Sequence, residues 1–165
     1  MVRETYLGIG GAESLRVGDG VQVASKAGLL LTGGRLESVF KVEGGPVLVV
    51  GMMMEVTEAC EDVGCNLTFE SGPLLGVDTV IGDSVSIQAA AIGDWFWSEC
   101  DGTGIVKAGT GTALVVNGVM RGSASGLGIL VPEGVIDIGL SATLATGKGT
   151  IYVQYMPVLR DSVVY

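Results

Sequence analysis

The stretch Gly44-Gly45-Pro46-Val47-Leu48-Val49-Val50-Gly51-Met52-Met53-Met54-Glu55-Val56-Thr57 decides how this chain is read. Two glycines and a proline launch eight uncharged residues, rich in β-branched side chains, before Glu55 closes the run. Periodicity alone does not separate a buried strand from a buried helix. The length, the Gly-Gly-Pro flank and the valines favour a strand. Both faces of it are apolar, which predicts a strand in the middle of a core, covered on both sides. It reads as the central strand of a β-sandwich or barrel.

Working outward, Glu37-Ser38-Val39-Phe40-Lys41-Val42 alternates polar and apolar residues as a half-buried strand does, and Gly44-Gly45 predicts a hairpin joining it to the central strand. Downstream, Cys65-Asn66-Leu67-Thr68-Phe69-Glu70 alternates again, with Leu67 and Phe69 on one face. Ser84-Val85-Ser86-Ile87-Gln88 is a weaker strand signal, and Ala89-Ala90-Ala91 is compatible with a short helical turn. Residues 101–128 read as a long loop around one short apolar piece, Ala113-Leu114-Val115-Val116. Pro132-Glu133-Gly134 marks a turn or kink between two strands. Gly147-Lys148-Gly149 then turns into a strand with Ile151, Val153 and Tyr155 on one face, halted by Pro157.

Residues 1–35 differ from the rest. Gly8-Ile9-Gly10-Gly11 and Gly18-Asp19-Gly20 interrupt any regular element, yet Val17, Val21, Val23 and Leu29-Leu30-Leu31 are too apolar for a solvated tail. An N-terminal arm that packs on a neighbour or on its own domain fits that composition; extended, it reaches on the order of 110 Å. The expected organisation is therefore an arm over 1–35 and a β-sandwich or jelly-roll-like body over 36–165. The tail Val163-Val164-Tyr165 offers a second sticky end.

Composition narrows the chemistry. The 165 residues suit one domain, and with 48% apolar but only 5% aromatic residues, aliphatic side chains and Met must fill its core. A net charge of −9, with nine dispersed cations, argues against nucleic acid as a partner. No apolar run approaches the roughly 20 residues that span a bilayer, and the N-terminus leads into no secretory-type segment, so neither a membrane partner nor export is expected. Cys60, Cys65 and Cys100 are odd in number, lack C-x-x-C spacing and have no His to complete a zinc set, which predicts reduced, partly buried thiols. With no histidine in the chain, Ser-His-Asp and Cys-His catalysis is impossible. Gly147-Lys148-Gly149-Thr150 holds glycine where a phosphate-binding loop needs a hydroxyl, and a strand follows it. Acidic turns at Glu58, Glu61 and Asp62, or at Asp78 and Asp83, leave an acid-pair hydrolase or a calcium loop formally open, but a solvated turn is the simpler reading. Neither catalytic residues, nor a cofactor, nor a metal is expected. The contact candidates are Trp95 and Trp97, in the segment that holds both tryptophans of an aromatic-poor chain.

Four pieces of the body carry a resemblance: the run into Gly51-Met52-Met53-Met54-Glu55-Val56-Thr57-Glu58-Ala59, the Cys65-Asn66-Leu67-Thr68-Phe69 strand, Val131-Pro132-Glu133-Gly134-Val135-Ile136-Asp137, and Gly147 through Val158. In this order they resemble the capsid decoration, or cement, proteins of tailed bacteriophages. The match departs at Trp95-Phe96-Trp97 and over 101–128 and does not extend to the arm. The resemblance implies a structural subunit on the outside of an icosahedral virion, made in the host cytoplasm and often homotrimeric, whose partner is the lattice of the major capsid protein. A carbohydrate- or receptor-binding β module is the alternative, and a shallow aromatic platform supplied by Trp95 or Trp97 would mark it.

Overall fold

The computed structural model of the chain describes residues 6–7, 15–16, 21–32, 34–98, 100, 105–108 and 128–165. These residues form thirteen strands among them: β1 (Tyr6–Leu7), β2 (Leu15–Arg16), β3 (Gln22–Leu30), β4 (Arg35–Glu43), β5 (Val47–Glu58), β6 (Asn66–Pro73), β7 (Thr79–Ser86), β8 (Trp95–Ser98), β9 (Val106–Ala108), β10 (Ile129–Val131), β11 (Gly134–Leu140), β12 (Lys148–Pro157) and β13 (Val163–Val164). Among the described residues there is no helix; turns at 88–89 and 92–93, closed by the Ala90 amide on the Ile87 carbonyl and the Asp94 amide on the Ala91 carbonyl, stand in place of the expected helical one. Among the described residues, strands β1 and β2 pair with each other and with no other strand.

The body is a β-sandwich. One sheet has the order β3-β12-β5-β8-β9, with β10 also paired to β5; the other has the order β13-β4-β11-β6-β7. Alternation along each strand sends one set of side chains into the space between the sheets. From β12 these are Ile151, Val153 and Tyr155; from β6, Leu67 and Phe69; from β8, Phe96. All three phenylalanines are buried here, and aliphatic residues and Met make up most of the remainder, with Tyr155 and the three cysteines among them.

β5 is indeed central, between β12 on one side and β8 and β10 in succession on the other. A bulge near Gly51 shifts its register, so Val47, Val49, Met52, Met54 and Val56 all face the core. The expected hairpin with β4 does not form. β4 belongs to the opposite sheet, and Gly44-Gly45, at φ of +75° and +125°, carries the chain across the end of the sandwich. Their missing side chains make room for Asp161, Leu159 and Ser162. A strand apolar on both faces pairs better in the sheet interior than beside its amphipathic predecessor. Pro132-Glu133 makes a second such corner, from β10 to β11.

Residues 22–30, read from sequence as part of the arm, form the edge strand β3 along β12. Leu31 follows at 0% exposure, with its amide donating to the Gly147 carbonyl. The short apolar piece expected at 113–116 lies outside the described residues, as does most of 1–20.

Candidate interaction surfaces

Alternation that buries Phe96 turns Trp95 and Trp97 together onto the outer face of the larger sheet, where both are half-buried. The same rule on β12 sends Tyr152 and Gln154 to that face. Tyr152, Met53 and Trp97 stand in one cross-strand row, and Glu55 and Trp95 in the next. The Trp95 and Tyr152 rings stack with centroids 5.9 Å apart and planes inclined by 26°. The Tyr152 hydroxyl donates to Glu55 Oε2 at 3.5 Å, and burial, then the Glu55 carboxylate, pushes its pKa above the usual phenol value. Val50 and Met53 of β5 stand outside the inter-sheet cluster yet are only 5% and 8% exposed. On the inner side, Lys107 pairs with buried Asp94 at 2.8 Å and lies over Phe96, so its charge stays off the outer face.

A second surface was not legible as such. In the β6–β7 turn, Leu74, Leu75 and Val77 are 73%, 92% and 84% exposed. This knuckle is braced. The Leu74 amide donates to the Glu133 carbonyl at 2.9 Å, the Thr79 hydroxyl donates to the Val77 carbonyl at 3.3 Å, and Gly134 lets the β10–β11 corner press against Gly72 and Pro73. Its signal in the sequence is Pro73-Leu74-Leu75-Gly76-Val77, turn punctuation around side chains too apolar for an ordinary turn.

The remaining contact candidates divide. Val21, Val23 and Leu30 are exposed along the β3 edge, and Leu29 packs partly against the core. Leu31 and Val164 are not surface groups at all; each turns inward and joins the subunit's own core. Val163 is partly exposed, and Tyr165 is exposed beneath the Lys41 ammonium, its backbone paired with that of Lys41. Val17 lies outside the described residues.

The acidic turns serve the fold. Glu58 pairs with Lys148, Glu61 Oε2 accepts from the Ala145 amide at 2.7 Å, and Asp62 Oδ1 accepts from Gln88 Nε2 at 2.8 Å. Asp83 accepts from the next residue's amide. Among the described residues no cluster of three or more His, Cys, Asp or Glu is placed to hold a metal ion. Gly147, in the would-be phosphate loop, packs against Cys60 and Leu31. Cys60, Cys65 and Cys100 are all buried, and burial, reinforced by Cys65, pushes the Cys60 thiol above its ordinary pKa. Compared with protein-family models, with curated proteins and with solved structures, the chain matches none.

Proposed function

We propose that this protein is a structural virion subunit that decorates and stabilises the capsid shell of a tailed phage, attaching as a homotrimer or similar closed oligomer to the lattice of the major capsid protein. The observation that carries the reading is the braced apolar knuckle Leu74-Leu75-Val77. Side chains this exposed on a stiff turn cost solvation in the free subunit and lose little entropy when a partner covers them. An acidic body, at net −9, stays soluble until such a partner is met. The order of the four quoted sequence pieces supports the same reading, and closed symmetry lets several modest contacts act together on a repeating shell.

The test is co-sedimentation with phage heads stripped of surface proteins, followed by heating to measure shell rupture. Wild-type protein is expected to bind and to raise the rupture temperature. Leu75→Asp is expected to bind about tenfold more weakly or worse while keeping its circular dichroism spectrum. Wild-type protein that ignores the heads, or a Leu75→Asp variant that binds them equally well, overturns the reading.

A further inference from the structure

We propose that the outer face of the larger sheet, at the rows built from β5, β8 and β12, is a binding site for a neutral glycan. Four observations converge on this patch. First, Trp95, Trp97 and Tyr152 supply three large rings on one sheet face, in adjoining cross-strand rows, in a chain with only nine aromatic residues. Rings of this kind offer an apolar, weakly polarised surface that suits the C–H face of a pyranose. Across β5 the patch spans two strand spacings, about 10 Å, which is the footprint of a short oligosaccharide segment.

Second, polar groups stand beside the rings. The Glu55 carboxylate is already oriented by the Tyr152 hydroxyl, and Gln154 lies one row on, along β12. A carboxylate accepts and an amide both donates and accepts, the complement that equatorial hydroxyls require. Third, Glu55 is the single charged group in these two rows, and the whole chain is acidic, so an anionic glycan would be repelled and a neutral one is selected. Fourth, the rings are half-buried and braced by the Trp95–Tyr152 stack, so they lose little freedom when covered. A few fixed polar groups beside an apolar floor is how small-ligand sites achieve orientation.

This site lies on a different face from the knuckle and does not depend on capsid attachment. The knuckle closes the β6–β7 turn of the smaller sheet, whereas Trp95, Trp97 and Tyr152 belong to the larger one.

The experiment titrates the full chain with cellohexaose, xylohexaose, maltohexaose and chitohexaose, reading tryptophan fluorescence and titration calorimetry, with light scattering on the same samples. At least one of these sugars is expected to bind and to shift the emission. Trp97→Ala and Tyr152→Ala are expected to weaken it about tenfold or more, and Gln154→Ala to weaken it by less. Gln154→Ala removes only a half-exposed amide, so it reports on the site even where an aromatic deletion disturbs the fold. Because the readout needs no phage heads, failure of the capsid reading leaves it untouched. Three outcomes overturn the proposal: no response to any of the four sugars, binding that survives Trp97→Ala and Tyr152→Ala, or an oligomer that Trp97→Ala dissolves, which would make a second copy the occupant.

Discussion

Gly134 opens β11 with φ at +151°, a backbone conformation closed to residues bearing a Cβ. A side chain there would also fall on the Gly72 carbonyl and the Pro73 backbone, neither of which can yield without parting β6 from β11. Gly134→Ala is therefore expected to destabilise the fold by on the order of 3 kcal/mol, combining strain with a lost close approach. Urea unfolding measures it, and a midpoint unchanged from wild type would contradict the packing described. At this scale the sequence was partly transparent. Alternation placed Leu67 with Phe69, and Ile151 with Val153 and Tyr155, on shared strand faces, because strand periodicity is local, and those faces line the core. Gly134 was legible as a turn residue, but not as the seat of a neighbouring carbonyl, because Gly72 reaches it only through the pairing of β6 with β11.

Among the elements, β3 shows where local reading ends. The glycines around it suggested an arm, and β12, its partner among the described residues, lies more than a hundred residues away. Leu31 then anchors the return to β4 in the core. Removal of residues 1–20 takes away β1 and β2, which among the described residues pair with each other, and is expected to leave the unfolding midpoint nearly unchanged. Removal of 1–35 exposes the β12 edge and empties the Leu31 site, at a cost of about 3 kcal/mol or more. Equal stability of the two truncations would show that β3 contributes nothing to the subunit. The Gly44-Gly45-Pro46 corner teaches a related lesson. Turn chemistry announced a reversal correctly, but whether the returning strand pairs with its predecessor or crosses to the other sheet depends on partners far along the chain.

For the molecule as a whole, the pairings that build each sheet join distant segments: β12 with β3 and β5, β11 with β4 and β6. Loop closure must precede the reward from such contacts, so refolding is expected on the milliseconds-to-seconds scale of β-sandwiches. Stopped-flow tryptophan fluorescence reads it directly, since Phe96 docking carries Trp95 and Trp97 into place. Complete recovery in microseconds would be incompatible with this topology. The candidate surfaces were legible in proportion to how local they are. Trp95 and Trp97 stand out in sequence, whereas Tyr152 joins them only across β5, and the Leu74–Val77 knuckle becomes a surface only when its neighbours pack below it.

The way β5 shares one flank between β8 and β10 has a practical side. Ala108 pairs opposite Trp95 and Ile129 opposite Val49, so two points of the chain twenty-one positions apart are clamped by the same sheet. Closing a longer loop between fixed ends costs little, roughly 0.6 kcal/mol for each doubling of length. Ala108 and Ile129 thus work as two jaws set in one sheet: the pairs they make with Trp95 and Val49 stay fixed by β8 and β5, whatever the number of residues strung between them.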